Sequence, residues 1–262
     1  MRGNRLRLAG NLRRLLVGSD PFDLLAEVAA TLNPDGWVLV GGLMVHCHAR
    51  RAGVTHVRPT DDADIVVELQ TQTYAAHAAA LLTLGFTPHE SVDSDAPFHR
   101  FLRDGETVDL MVPDRESWSP RYRGRELIKV PGSSSALKRA IRYELHDGTS
   151  IRLPDLASAL SLKGAAHQVP SANASRHLQD AVTLLACAGP VGLYPAPSKS
   201  MRGNINHLMK CLGTTAEAWV LAAPQNRVRA QQCILTLRPD WKVPTFLGST
   251  TVPHGRRPRA RP

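Results

Sequence analysis

The chain has 262 residues, 43% of them apolar, and 32 basic against 23 acidic residues give a formal net charge of +9. That length holds one large domain or two modest ones, the apolar share supplies a sizeable core, and the positive balance favours polyanions, nucleic acid first. No apolar run approaches the length of a membrane span, and the N-terminal arginines are not followed by an uninterrupted apolar core with a small-residue cleavage site, so neither a transmembrane anchor nor a secretory signal is expected.

Residues 1–19 and 241–262 are basic and read as flexible ends: Arg2, Arg5, Arg7, Arg13 and Arg14 stand at one end, and Arg256, Arg257, Arg259 and Arg261 at the other. The acid-poor stretch 1–18 also has the composition of an organelle-targeting peptide. Helical spacing begins at 21–32, with Asp20 as N-cap and Pro21 in the first turn. Asn33-Pro34-Asp35-Gly36 is a turn. Trp37 to Val40 is a buried strand that meets Gly41-Gly42, and residues 43–51 are helical. Asp62 to Leu69 is a strand in which alternation points Asp62 and Asp64 to one side, while Asp61 faces away into solvent. An alanine-rich helix covers 71–84.

Next comes a hairpin, with strands over 98–103 and 106–112 joined by the favoured turn Asp104-Gly105. It embeds Asp109 in an apolar strand. If that strand lies beside the first, Asp109 joins Asp62 and Asp64 in one carboxylate cluster. Ser133-Ser134-Ser135 reads as a loop. A second hairpin runs from Ala140 to Leu145, turns at Asp147-Gly148 and returns through Ile151 to Leu153. After Pro154 the pattern is helical, over 154–168, 173–188 and 203–236, the last interrupted near Ala223-Pro224. The plan is α/β (α+β), with an α/β domain at 20–153 and a helical domain at 154–240.

Paired carboxylates repel unless a cation neutralises them, and Mg²⁺, which suits hard oxygen ligands, commonly carries nucleotide phosphates with it. A helix N-terminus opened by Gly41-Gly42 favours phosphate. A glycine pair alone is usually a tight turn and a D-x-D alone a solvated surface pair; their order along the chain is what makes the reading specific. His46, Cys47 and His48 invite a metal reading, but side chains at i and i+2 on a helix diverge. The four cysteines, Cys47, Cys187, Cys211 and Cys233, are spaced too widely and irregularly for a zinc cluster or a disulfide framework, and reduced thiols in a cytoplasmic protein are the expectation.

The chain resembles the DNA-polymerase-β-type nucleotidyltransferase superfamily and, within it, the AbiEii-like toxins of type IV toxin–antitoxin pairs. Four segments within about 22–190 carry the resemblance: VGGLMV (40–45), RPTDDADIVV (58–67), VDLMVP (108–113), and a helical pair in which Leu160, Lys163, Arg176 and Asp180 match. The pattern is departed from at Gln179 and Thr183. The resemblance implies a polymerase-β-like mixed sheet with flanking helices and transfer of NMP from an NTP to a hydroxyl. Asp62, Asp64 and Asp109 would bind two Mg²⁺ ions, with Asp109 also the base. Gly41 and Gly42 would cradle the triphosphate, with Arg58 and Thr60 beside them. Lys163 would neutralise phosphate charge, oriented by Asp180. Lys163 also reads as a snorkelling surface lysine, Asp180 as an exposed helix carboxylate, and Arg58 as the partner of a neighbouring acid. The implied acceptor is RNA, the 3′ end of tRNA, with a cognate antitoxin as protein partner. A small-molecule nucleotidyltransferase of the antibiotic-modifying type and a non-catalytic nucleotide-binding protein are the alternatives.

Overall fold

The computed structural model describes residues 20–55, 58–69, 73–93, 95–115, 119–170 and 174–247, so both terminal arginine groups lie outside the described residues. The first described element is helix α1 (Pro21–Thr31), capped where the Asp20 carboxylate accepts from the Phe22 amide at 2.9 Å. Phe22, Leu24, Leu25 and Val28 on its inner face are buried. Strand β1 (Trp37–Leu39) leads into α2 (Gly41–Ala52), then β2 (Asp62–Val67), α3 (Tyr74–Thr83) and β3 (Thr87–His89). β4 (Arg100–Arg103) and β5 (Glu106–Pro113) form the expected hairpin. Its turn places both central residues at positive φ (46° for Asp104, 84° for Gly105), the geometry that matches strand twist in two-residue hairpins.

Short strands β6 (Arg121–Tyr122), β7 (Arg125–Glu126) and β8 (Lys129–Val130) follow, then α4 (Ser133–Lys138). The three serines expected as a loop therefore begin a helix. The cause is a remote carboxylate: Asp114 accepts from the Gly132 amide at 2.8 Å and from the Ser134 amide at 3.0 Å, satisfying N–H groups that the local sequence leaves orphaned. The second hairpin is β9 (Ala140–Glu144) with β10 (Ser150–Pro154).

The main sheet runs β1-β2-β5-β4-β3, with β8 also beside β5. β2 and β5 are parallel at its centre, and the other pairs of the path are antiparallel. Ile65, Val66 and Val67 are all fully buried, as central strands covered on both faces require.

Four longer helices follow among the described residues: α5 (Leu156–His167), α6 (Ala174–Ala188), α7 (Lys199–Leu212) and α8 (Pro224–Leu237). The helical stretch expected over 203–236 is thus two helices: the first ends at Leu212, and the second starts at Pro224 with Ala223 as its N-cap, where the interruption was expected. α2 packs on α6, and the buried apolar cluster runs without a gap from the sheet into these helices. Among the described residues, no helix is long and apolar enough to cross a membrane.

Candidate active site

Three neighbouring strands set the acidic wall. In the parallel pairing Asp62 stands beside Thr107 and Asp64 beside Asp109; in the antiparallel hairpin Asp109 stands opposite Arg100. Asp64, Asp109 and Arg100 therefore form one lateral row, and Asp62 shares their face by alternation. The third aspartate does lie beside the first two.

The glycine pair abuts this row. Gly41 has φ +66°, and a Cβ there would overlap the Asp64 carboxylate. A Cβ on Gly42 would overlap the Thr60 hydroxyl and crowd Arg58. Both positions thus exclude side chains by close approach. The N-cap residue of α2, Val40, makes no side-chain cap bond, and the Gly42 amide bonds the Asp64 carboxylate instead. The other first-turn amides are free of side-chain caps and carry the partial positive charge of a helix start.

Helices supply the opposite wall. α5 springs from β10 through Asp155, whose carboxylate accepts from the Ser158 amide at 2.8 Å and from Arg139 at 2.7 Å. Two turns on, Lys163 donates to Asp180 of α6 at 2.7 Å. Arg58 makes a bidentate pair with the same carboxylate, at 2.9 and 3.1 Å. Lys163 and Asp180 are both buried, so neither is the surface residue it could have been, and Arg58 does pair with an acid. The cleft between the walls has a volume of about 400 Å³. Gly41, Gly42, Thr60, Asp62, Asp64 and Lys163 line it, together with the exposed Arg176 and with His177.

The walls differ in charge state. Burial and the neighbouring Asp109 and Asp62 carboxylates push the Asp64 carboxyl up to about 7, against the lowering pull of Lys163 and the Gly42 amide. Burial and Asp109 likewise raise Asp62. Burial alone would raise Asp180 too, but the Lys163 ammonium and the Arg58 guanidinium outweigh it and hold that carboxyl below its ordinary value. Hard oxygen donors crowded until their charged forms are disfavoured are the donor set that Mg²⁺ relieves. Asp109 differs from the other two, since both its oxygens accept from Arg100, at 2.9 and 2.8 Å. Among the described residues, ligand atoms of three His, Cys, Asp or Glu side chains come within 4.8 Å of one another at His167, His207 and Cys211, and not at the three aspartates.

No protein-family model and no curated protein matches the chain. The site is therefore argued on its own geometry. His46 and His48 part as expected, one bonding the Arg58 carbonyl and the other the Pro154 carbonyl. Arg100 was missed, although hairpin arithmetic contains it: a turn centred on Asp104-Gly105 sets residue 100 opposite residue 109. The His167–His207–Cys211 group was missed as well, because cysteine spacing was weighed against other cysteines; the i, i+4 pair His207 and Cys211 was the available signal.

Proposed function

We propose that the protein is a Mg²⁺-dependent nucleotidyltransferase that moves NMP from an NTP to a hydroxyl and releases pyrophosphate. The observation that carries this reading is the Asp62, Asp64 and Asp109 row on parallel strands, with Gly41 closed against Asp64 and a buried cation wall opposite. It agrees with the polymerase-β-type resemblance of the sequence.

Asp62 and Asp64 would hold the metal, joined by Asp109 when Arg100 yields an oxygen. When bound, Mg²⁺ supplies charge neutralisation for the triphosphate and for the attacking hydroxyl. The first-turn amides of α2 would bind phosphate oxygens, with the Thr60 hydroxyl beside them. Lys163, Arg58 and Arg176 would offset the remaining phosphate charge, with Asp180 fixing the first two in place. The acceptor oxygen bonds to the α-phosphorus as the bond to the bridging oxygen breaks, and the hydroxyl proton passes to Asp109. An RNA acceptor follows from the net charge of +9 and from Arg176 at the cleft. The resemblance adds the 3′ end of tRNA as target and a toxin's role beside an antitoxin.

The test is label transfer from each α-labelled NTP to total tRNA with Mg²⁺, using the wild-type protein and Asp64→Asn. Label on tRNA that vanishes in the variant supports the proposal. Mg²⁺-dependent turnover with label only on small molecules moves the acceptor class, and no turnover on any acceptor removes the enzymatic reading.

A further inference from the structure

The seam between α5 and α7 holds a cluster that the cleft chemistry does not use. His167 ends α5, and His207 and Cys211 are four residues apart on α7, hence on one face. Nδ1 of His167 lies 2.8 Å from Nε2 of His207, and Sγ of Cys211 lies 3.7 Å from that same nitrogen. All three ligand atoms fall within 4.8 Å of one another.

The backbone brings them together. At Gly164 a Cβ would overlap the carbonyl oxygen of Asn204, so α5 and α7 touch there main chain to main chain. Three residues on along each helix stand His167 and His207. The contact is held on both sides: Asn204 donates to the Ser161 hydroxyl at 3.1 Å, and Gln168 donates to Asn204 at 3.0 Å and to the Gly164 carbonyl at 2.9 Å. The helices cannot drift apart without breaking this set, so the three ligands are pre-placed rather than gathered by chance on mobile loops.

We propose that His167, His207 and Cys211 form a three-ligand Zn²⁺ site that pins α5 to α7. Tetrahedral zinc with N and S ligands has ligand–ligand edges of about 3.3–3.6 Å. The sulfur–nitrogen pair is already near that spacing, and the two imidazoles need to part by about half an ångström, a small side-chain adjustment. Two imidazoles and a thiolate select a borderline-soft cation, which separates this site from the all-oxygen cleft. All three side chains are half-exposed, so the ion enters from solvent and its fourth position faces water. Lys163 lies one turn before His167, so an ion here would stiffen the helix that carries it. The inference stands on its own residues and does not depend on the nucleotidyltransferase reading.

The experiment uses the full chain, free of any affinity tag and stripped with chelator, titrated with Co²⁺ as a spectroscopic stand-in. The expected result is one equivalent bound, with intense visible bands of a tetrahedral ion and a near-ultraviolet thiolate charge-transfer band, all erased by Zn²⁺. Cys211→Ser should lose the charge-transfer band, and His207→Ala should weaken binding by on the order of 100-fold or more. Absence of stoichiometric binding overturns the proposal, as does a thiolate band that survives Cys211→Ser, which would place the ion on another cysteine. A second measurement needs no variant: Zn²⁺ should shield Cys211 selectively from alkylation mapped by mass spectrometry, with Cys187 as the internal control. Equal Cys211 labelling with and without Zn²⁺ would also sink it.

Discussion

The two walls of the cleft are built to opposite electrostatic rules. On the helical side the Asp180 carboxylate is answered by two cations, Lys163 and Arg58, each within 3.1 Å of it. On the sheet side three aspartates share one face, and Arg100 hydrogen-bonds Asp109, while its charge only partly offsets Asp62. A protein gains nothing in stability from carboxylates held so that their own charged forms are disfavoured. The contrast teaches where the proposed Mg²⁺ would belong: Lys163, Arg58 and Asp180 already answer one another, whereas the raised Asp62 and Asp64 carboxyls would be relieved by a cation. Replacing a residue on the first wall should therefore cost stability, and on the second wall should cost function.

The sharpest break of that comparison is Asp64→Asn. Label transfer should fall by on the order of 1,000-fold, the scale of losing a transition-state charge contact. Stability should move the other way. Because the folded Asp64 carboxyl titrates near 7 against an ordinary 3.8, the folded state binds more protons between those values, and this residue's contribution to stability declines as pH rises through that window. The metal-free variant should thus melt above the wild type at pH 8, with the gap shrinking as pH falls from about 7 towards 4 and closing when Mg²⁺ is added. A variant that melts lower than wild type at pH 8 would mean Asp64 is already compensated. On the helical wall, Asp180→Ala strands the buried Lys163 and the part-buried Arg58 and should cost about 3–5 kcal/mol in chemical denaturation. A cost below about 1 kcal/mol would mean that water already screens that wall.

Next in size is a pair of glycines that differ in one respect. Gly41 and Gly53 have nearly equal φ, +66° and +63°, but a Cβ on Gly53 meets nothing within 4 Å, whereas on Gly41 it overlaps Asp64. Gly53→Ala should cost roughly 1 kcal/mol, the left-handed backbone penalty alone. Gly41→Ala should cost roughly 1–3 kcal/mol and abolish transfer, since Asp64 must move. Equal losses with activity kept in both would detach Gly41 from the site.

The local parts of this arrangement were legible in the sequence. The Asp62–Asp64 alternation, the Gly41-Gly42 junction and the Asp104-Gly105 turn each depend on neighbours a few residues away, and each stands where period and turn chemistry put it. What a single sequence does not carry is pairing across distance. The β2–β5 register that sets Asp64 beside Asp109 spans forty-odd residues with a helix between. The Arg58–Asp180 pair joins residues 122 positions apart, and nothing in either segment names the other. The start of α4 went unread for the same reason, because its cap is Asp114 from another segment. Arg100 is the exception, since its partner was fixed by a two-residue turn.

That residue gives the smallest and most discriminating test. Arg100 is part-exposed and holds both oxygens of a buried carboxylate through a bidentate guanidinium. Two roles fit this geometry. As a stand-in for the cation, Arg100 competes with Mg²⁺ for Asp109; as a positioning residue, it aims Asp109 at the metal. Arg100→Gln separates them. Under competition the metal-free variant melts lower, because a third aspartate loses its counter-charge, yet Mg²⁺ binds tighter by about tenfold, or about 1.4 kcal/mol, and shifts the melting temperature further. Under positioning, Mg²⁺ affinity falls together with stability. The charge contrast between the walls favours competition: the sheet wall has too few positive charges, and the one it has sits on a side chain with solvent beside it into which to swing.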